Sequence, residues 1–319
     1  MASKSFHVVL NASAGTAGTL GITPAAIRER FEARGHVVDI DADSDTPLHA
    51  RIERALDSRA EIIVAAGGDG TIAALANALV GTKSTLAILP LGTVNLLARD
   101  LHLPLDLDQA VAALGELEPR RIDVGEVNGC IFLHKVVIGL LPSLAAGREH
   151  LRGRSSLSAK IGYFRYFARR LARARRFAVA IETEGGNARV ERVQAVAVAS
   201  NAYEEGFGQF FARHRLDRGR LTLYVVRRLA LKDMLRLSIE MVLGRWRADE
   251  ALTIESVGAV TIRSRKGMLK AMVDGEIMNL TAPLEFRIRP LALSVLAPPE
   301  VGAGPDEVED SLVAMGTTS

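Results

Sequence analysis

The stretch from Glu61 to Thr71, EIIVAAGGDGT, constrains this chain more than any other part of the sequence. An apolar run ends in three glycines around one aspartate, and the residues that follow, TIAALANALV, have the composition of a helix. A strand, a tight turn and a helix N-terminus form an anion site, because unpaired backbone N–H groups and the helix dipole point outward there. Asp69 would repel an anion in this turn unless a divalent cation or a proton lay between them.

Strand patterns and helix patterns alternate over the first third of the chain. Threonine precedes proline at Thr23 and at Thr46, and this pair begins helices because threonine suits the N-cap and proline the first helical position. The alternation predicts a doubly wound, mostly parallel α/β sheet. The predicted strands are Ser5–Leu10, His36–Ile40, Ile62–Ala66 and Thr85–Leu89, with a helix ending at Gly35 and another from Thr71 to Val80.

After Arg121 the pattern changes to antiparallel β structure. Asn128-Gly129 separates IDVGEV from CIFLHKVVIG and predicts a hairpin, since Asn-Gly favours the turn type that matches strand twist. Further candidate strands, among them LEFRIR and ALSVLA, follow to the end of the predicted sandwich or flattened barrel. Two helices are predicted among these strands, near Ile161–Arg176 and near Leu231–Leu243, and the second should cover the core.

We therefore expect two domains and a tail. Residues 1–122 form the α/β domain, residues 123–297 the β-rich domain, and the acidic, small-residue stretch 298–319 a disordered tail. A cleft between two domains is a common place for a ligand site.

Composition limits the class of protein. One cysteine, Cys130, excludes a disulfide framework and a cysteine-based zinc cluster. No apolar run reaches the roughly 20 residues that cross a bilayer, and the N-terminus lacks the long apolar region of a secretion signal. A reducing cytoplasm is the expected location. The net charge is only +3, but basic residues cluster between Arg148 and Arg176.

The glycine turn alone fits more than one class of nucleotide site. Gly68-x-Gly70-x-x-Ala73 between a strand and a helix satisfies a dinucleotide-binding pattern superficially. However, Asp69 lies inside the turn, and no acidic residue occurs from Gly81 to Ala98 to bind a ribose. The chain also has no GxxxxGK[ST] loop. A redox Rossmann domain is thus disfavoured.

Two later stretches carry polar groups that could join the same site. Pro90 to Asn95, PLGTVN, follows the fourth strand, and successive parallel strands end on the same edge of a sheet. Taken alone, it is also consistent with an ordinary turn that has capping residues. Val273 to Glu276, VDGE, is a typical hairpin turn, but a carboxylate fixed there could also accept a proton from a substrate hydroxyl.

Together, GGDGT, P-x-G-T-x-N and a late DGE resemble the diacylglycerol kinase catalytic-domain superfamily, which includes soluble bacterial lipid kinases and the sphingosine and ceramide kinases. The resemblance extends from Phe6 to about Ala297. It implies a lipid kinase that uses ATP and Mg²⁺ and transfers the γ-phosphate to a lipid hydroxyl. The acceptor would be diacylglycerol-like or sphingoid, presented at a membrane surface.

The resemblance also assigns roles to residues. Asp69 would organise the magnesium-bound phosphates, and Glu276 would be the base that takes the hydroxyl proton. Asp123 and Asp217 are further candidate metal ligands. The candidate nucleotide-binding residues are Asn11, Ser13, Gly67, Gly68, Gly70, Thr71, Gly92, Thr93 and Asn95.

The chain departs from the family pattern at two positions. Leu96 stands where many bacterial members have an aspartate after the asparagine, as in N-D-F-A-R, although the sphingosine and ceramide kinases also have a non-acidic residue there. Arg218 interrupts the family's D-G-x-L turn at Asp217-Arg218-Gly219-Arg220-Leu221, which puts a structural magnesium site of some bacterial relatives in doubt.

Ile161–Arg176 is the candidate for peripheral membrane contact, because it combines aromatic side chains with six arginines. It is equally consistent with a helix that packs its aromatics on the sheet. No recognised nucleic-acid-binding module is present, and the oligomeric state is open. The alternative functions are a small-molecule kinase similar to NAD kinases and phosphofructokinases, and a non-catalytic protein that binds nucleotide or lipid.

Overall fold

The computed structural model describes residues 4–11, 22–139, 176–186, 188–204, 212–227 and 231–299. Of the predicted helix Ile161–Arg176, only Arg176 lies within these ranges. Of the predicted tail, only residues 298 and 299 do, and Ser13 lies outside them. The helices, numbered in chain order, are α1 Pro24–Glu32, α2 Leu48–Asp57, α3 Asp69–Leu79, α4 Leu96–Asp100, α5 Leu107–Ala113 and α6 Leu231–Leu243. The strands are β1 Ser5–Leu10, β2 Val37–Asp41, β3 Ile62–Gly67, β4 Thr85–Pro90, β5 Glu118–Val127, β6 Cys130–Phe132, β7 Lys135–Gly139, β8 Phe177–Thr183, β9 Arg189–Val193, β10 Ala195–Ser200, β11 Leu221–Val226, β12 Leu252–Val257, β13 Ala259–Ser264, β14 Met268–Val273, β15 Glu276–Thr281 and β16 Leu284–Ala297.

The N-terminal unit is a parallel sheet with the strand order β2-β1-β3-β4. Strands β3 and β4 are buried along their whole length, as expected for parallel strands that helices cover on both faces. Helix α1 begins as its sequence predicts: the Thr23 hydroxyl accepts a hydrogen bond from Ala26 N at 3.2 Å, and Pro24 occupies the first helical position. The predicted α/β domain is confirmed.

The C-terminal unit is an antiparallel β-sandwich. One layer is a six-stranded sheet in the order β12-β11-β10-β7-β14-β15. The other consists of β16-β13-β8-β9, which continues the N-terminal sheet. Val136, Val198, Ile262 and Phe286 are among the buried residues that form the core between the layers. The sandwich that the alternating patterns predict is therefore confirmed.

Helix α6 has the predicted bounds and lies on the outer face of the six-stranded sheet. Leu237 of this helix packs against a small cluster that contains Tyr203, Tyr224 and Trp246. The two tyrosine rings are 6.1 Å apart, and Trp246 lies 6.1 Å from Tyr224. This helix covers part of the core, as the sequence predicts.

The last strand joins the two units. The first part of β16 pairs with β13, and its second part pairs in parallel with β4 at Val295 and Leu86. Strand β5, which contains the predicted boundary at residue 122, pairs with β16 along both parts. The main sheet is thus continuous across the predicted boundary, and the division of the chain at that residue stays a prediction.

Two details of the predicted secondary structure are wrong. CIFLHKVVIG is two strands, β6 and β7, with a break at Leu133 and His134. The strand breaks because the backbone N–H groups of these two residues donate hydrogen bonds to the carboxylate of Asp274. LEFRIR and ALSVLA form one strand, β16, which a bulge between Arg289 and Leu293 interrupts.

Helix α2 also starts differently from the prediction. Its N-cap is Pro47, without a side-chain cap, and not Thr46. The Thr46 hydroxyl instead donates to the carboxylate of Asp43 in the preceding loop.

Candidate functional site

The glycine turn joins the end of β3 to the first turn of α3. Gly68 is the N-cap of α3, and Asp69 is its first residue. The side-chain amide of Asn11, at the end of β1, donates to the hydroxyl of Thr71 at 2.9 Å. The structure therefore brings Asn11, Gly67, Gly68, Gly70 and Thr71 together, as their predicted common role requires.

The PLGTVN turn lies directly against the glycine turn. The backbone N–H of Leu91 donates to Gly67 O at 3.0 Å. A Cβ built on Gly92 would lie only 2.7 Å from the Cα of Gly68 and 2.6 Å from Asn95 Oδ1. Glycine is therefore required at residue 92, because any side chain there would push the two turns apart.

Asn95 holds the PLGTVN turn in shape. Its backbone is left-handed, with φ 55°, a conformation that asparagine tolerates better than most residues. Its Oδ1 accepts from Gly92 N at 2.9 Å, and its Nδ2 donates to the carbonyls of Gly92 and Pro90. The side chain of Thr93 is exposed beside it. Contact of either residue with a nucleotide stays a prediction.

Asp69 links the two turns. Its Oδ1 accepts from Leu96 N at 2.7 Å and its Oδ2 from Asn95 N at 3.1 Å, so its carboxylate caps the N-terminus of α4. A carboxylate at a helix N-terminus is stabilised by the free N–H groups and the helix dipole. The sequence gives no indication of this structural role.

The VDGE stretch forms a hairpin that places Glu276 against the glycine turn. Val273 pairs with Glu276 across a two-residue turn, and both turn residues have positive φ, 46° at Asp274 and 98° at Gly275. A Cβ built on Gly70 would lie 3.2 Å from Glu276 Oε1. Two carboxylates, Glu276 and Asp69, thus lie at the same turn although they are far apart in sequence.

Asp274 anchors this hairpin, a role that sequence reasoning missed. Its carboxylate accepts from the backbone N–H groups of Leu133, His134 and Lys135 at 2.6, 2.9 and 2.9 Å. Burial raises the pKa of Asp274, while the three hydrogen bonds act in the opposite direction. The hairpin that carries Glu276 is therefore attached to the break between β6 and β7.

A buried ion pair between Arg213 and Asp100 lies behind the site, and sequence reasoning missed it as well. Arg213 is 2% exposed and Asp100 is 8% exposed. Nε and Nη2 of Arg213 donate to Asp100 Oδ2 at 3.0 and 2.6 Å. Nη1 donates to the carbonyls of Leu133 and Ser200 at 2.7 and 2.8 Å. The pair joins α4 of the N-terminal unit to strand ends of the sandwich.

Two ionisable side chains beside Arg213, those of His134 and Lys135, have lowered pKa values. Burial lowers the pKa of His134 well below its usual value, and Arg213 and Lys135 lower it further. His134 Nδ1 lies 2.7 Å from Arg213 Nη2 and accepts a hydrogen bond from it as a neutral ring. Burial, together with Arg213, also lowers the pKa of Lys135 to about 8, although Asp274 opposes the shift. The Lys135 ammonium lies 5.0 Å from the centre of the Tyr203 ring.

Asp123, a candidate metal ligand, is engaged by backbone donors. It is 3% exposed, and its Oδ1 and Oδ2 accept from Leu291 N at 2.9 Å and Gly219 N at 2.6 Å. Both donors lie in irregular backbone with positive φ. Asp123 therefore ties the loop before β11 to the bulge in β16.

Asp217, the other candidate metal ligand, lies among arginines. Its Oδ1 accepts from Arg215 Nε at 2.8 Å, and its Oδ2 lies 4.0 Å from Arg120 Nη2. Arg218 pairs instead with Glu204 at 3.6 Å. Within the described ranges, no group of three or more His, Cys, Asp or Glu residues could hold a metal ion. Metal binding at Asp123 and Asp217 stays a prediction.

Comparison with known proteins agrees with this arrangement. Residues 5–127 match the family model of the diacylglycerol kinase catalytic domain, and residues 145–297 match the YegS C-terminal NAD kinase beta sandwich-like domain. Diacylglycerol kinases of Staphylococcus aureus strains RF122 and JH9 are each 26% identical over 278 residues, which is 84% of this chain and 85% of theirs.

Solved structures show the same fold. A Bacillus anthracis chain has a TM-score of 0.69 at 20% identity and covers 93% of this chain and 96% of its own length. Another, described as a diacylglycerol kinase from the same organism, has a TM-score of 0.61 at 19% identity, with 93% and 97% covered. The chain is a kinase-family protein. It belongs to the diacylglycerol kinase catalytic-domain superfamily.

Membership of this family identifies a phosphotransferase that uses a nucleotide. In the parts of the chain that the structure describes, no helix is both long and apolar enough to cross a membrane.

Proposed function

We propose that this chain is an ATP-dependent lipid kinase that transfers the γ-phosphate to a lipid hydroxyl. The observation that carries the proposal is the position of Glu276 against Gly70, where a Cβ on the glycine would lie 3.2 Å from the carboxylate. If the glycine turn holds the phosphates, a carboxylate that faces this turn from the other unit would lie beside both the γ-phosphate and the acceptor hydroxyl.

The glycine turn would hold the phosphates of ATP. The first backbone N–H groups of α3 have no intrahelical acceptor, and the helix dipole favours an anion at this end. Gly68 and Gly70 add no side chain that would keep a phosphate away. Asn11 contacts Thr71, so the end of β1 supports the turn from the side.

Asp69 fits a nucleotide-bound magnesium ion. Magnesium usually keeps several waters and takes only one or two protein carboxylates besides the phosphates, so one aspartate in the turn is sufficient. The carboxylate oxygens of Asp69 each accept one backbone hydrogen bond, which leaves lone pairs for a cation. When bound, magnesium would neutralise charge between the phosphates.

Glu276 would act as the general base. It is exposed at the start of β15, in a hairpin that Asp274 anchors with three backbone hydrogen bonds. A carboxylate in this position accepts the hydroxyl proton as the oxygen attacks the γ-phosphate. General-base assistance of this kind contributes about 10²–10⁴ in rate.

A lipid acceptor, diacylglycerol-like or sphingoid, agrees with the apolar residues beside the site. Ile277 follows Glu276 and is 39% exposed, and Val94 in the PLGTVN turn is 49% exposed. Exposed apolar side chains in the stretches that carry the site suit an acceptor that presents its hydroxyl on a hydrocarbon body. Membrane contact through Ile161–Arg176 would bring the enzyme to such an acceptor.

The decisive experiment is incubation with γ-labelled ATP, Mg²⁺ and a total lipid extract, followed by identification of the labelled product. We expect one labelled phospholipid with the wild type. Glu276→Gln should lower its rate of formation by about 10²–10⁴. Glu285→Gln, an exposed carboxylate on β16, is the matched control and should behave as the wild type.

Three outcomes would contradict the proposal. With NAD and fructose 6-phosphate supplied as alternative acceptors, label on either of them, and on no lipid, would favour a small-molecule kinase. ATP binding without transfer to any acceptor would favour a non-catalytic protein. Full activity of Glu276→Gln would remove the base from the mechanism.

A further inference from the structure

We propose that Arg213 and Asp100 are positioning residues, whose buried pair sets the distance between Glu276 and the glycine turn. The kinetic part of this proposal rests on the proposed function, but the geometric part does not. The pair lies close enough to Asp274 of the hairpin turn for a direct charge interaction with Arg213. It acts through two short series of contacts, one in each unit.

The N-terminal series runs through α4, which has only five residues. Asp69 in the glycine turn caps its first residue, Leu96, at 2.7 Å. Asp100 is its last residue and receives three hydrogen bonds from Arg213: two from the guanidinium and one, at 3.2 Å, from the backbone N–H. One short helix therefore connects Asp69 to Arg213.

The C-terminal series starts at the same guanidinium. Arg213 Nη1 donates to Leu133 O at 2.7 Å, and the backbone N–H of Leu133 donates to Asp274 at 2.6 Å. Asp274 belongs to the two-residue turn that ends at Glu276. A single peptide segment thus transmits the position of Arg213 to the hairpin.

The two series close on each other, because Glu276 lies against Gly70, the neighbour of Asp69. The contacts form a closed ring. Glu276 and the glycine turn lie on one side of this ring, and the Arg213–Asp100 pair lies on the other. Other contacts also join the units, such as the pairing of β16 with β4 at Val295 and Leu86. That pairing holds strands of the main sheet together, whereas the ring ends on both groups of the proposed reaction.

The pair is suited to fix a distance. A guanidinium is planar and donates in fixed directions, so its five N–H groups define one geometry. Arg213 uses Nε, Nη1 and Nη2 toward Asp100, Leu133, Ser200 and His134. Burial shields these bonds from salt and water. An error of 1 Å at a reacting centre can cost about 10² in rate, so a rigid pair at this place matters for transfer.

The first experiment measures the distance without any assay of activity. Cys130, the only cysteine, is exposed and is replaced in Cys130→Ser. Gly70→Cys and Glu276→Cys then supply two thiols, and a short bis-methanethiosulfonate reagent is the probe. We expect fast intramolecular cross-linking. Adding Asp100→Leu with Arg213→Met should lower the cross-linking rate at least about tenfold, because the effective concentration of the second thiol falls.

The double variant is chosen to separate position from stability. Replacement of a buried ion pair by apolar residues of similar volume is often neutral for stability, whereas removal of one partner leaves an unpaired charge. Arg213→Lys is the second variant: it keeps the charge beside Asp100 and loses the planar fork. Arg227→Met is the matched control, since Arg227 also binds Glu191 and Thr253 through its guanidinium, but these hydrogen bonds are exposed.

The second experiment measures transfer without the added cysteines. For Asp100→Leu/Arg213→Met and for Arg213→Lys, we expect kcat of the folded protein to fall by about 10² while KM for ATP stays close to wild type. Folded variants that cross-link and turn over as the wild type would overturn the proposal. If no lipid were labelled, the proposed function would fail, and if Glu276→Gln were fully active, the base role of Glu276 would fail. In either case slower cross-linking in the double variant would still establish the positioning role.

Discussion

The carboxylate of Asp69 is bonded to the backbone of Asn95 and Leu96, the residues at the start of α4. The aspartate of the glycine turn therefore has a structural partner even without a cation. It holds the PLGTVN turn against the glycine turn, and it would still have lone pairs for a magnesium ion. Substitution of Asp69 should consequently affect both stability and phosphoryl transfer.

For Asp69→Asn, we expect loss of lipid phosphorylation and a decrease of about 1–3 kcal/mol in the free energy of unfolding. The amide can accept only one of the two backbone hydrogen bonds, and its NH₂ group would face the other N–H. Urea titration measures the decrease, and transfer of labelled phosphate measures the activity.

Asp108→Asn is the control for this prediction. Asp108 is also an acidic residue in the first turn of a helix, but it is exposed and pairs with Arg30 at the surface. Its substitution should change the free energy of unfolding by less than about 1 kcal/mol. An Asp69→Asn protein as stable as the wild type would contradict the capping role.

The elements that carry the site could be predicted from sequence because local chemistry determines them. Asn128-Gly129 and Asp274-Gly275 both form two-residue turns with positive φ. The burial of β3 and β4 follows from their apolar runs. That the turns after these strands meet follows from the common edge of a parallel sheet.

The contacts that join the two units could not be predicted in the same way. Arg213 and Asp100 are 113 residues apart, and neither lies in a motif. Arg213 follows a phenylalanine-rich run, and Asp100 ends a very short helix. Likewise, CIFLHKVVIG contains no turn residue at Leu133 and His134. The strand breaks there because Asp274, from a distant hairpin, accepts the N–H groups of these residues.

Gly70→Ala should separate the two roles of the glycine turn, stability and transfer. Gly70 is the second residue of α3, and alanine is favoured over glycine in a helix by up to about 1 kcal/mol. A Cβ there would lie 3.2 Å from Glu276 Oε1, so the glutamate must move. We expect unchanged or higher stability together with slower transfer. Gly267→Ala, where the Cβ would meet open space, is the control and should keep full activity.

The lowered pKa of Lys135 should make the free energy of unfolding depend on pH. Its pKa is lowered from 10.5 to about 8, chiefly by burial and by Arg213, against the opposing charge of Asp274. Between these two pH values the unfolded chain binds the proton and the folded chain does not, so stability rises with pH. Below pH 8 the lysine is charged in both states and carries the full cost of its burial.

Lys135→Met eliminates this titration. The difference in the free energy of unfolding between wild type and Lys135→Met should therefore change in favour of the wild type as the pH rises from 8 to 10.5. The full change is about 3 kcal/mol, and less if water reaches the half-buried ammonium. Chemical denaturation at several pH values measures it, with Lys270→Met, on an exposed position of β14, as the control. A difference that stays constant over this range would mean that the Lys135 ammonium is well solvated beside Tyr203.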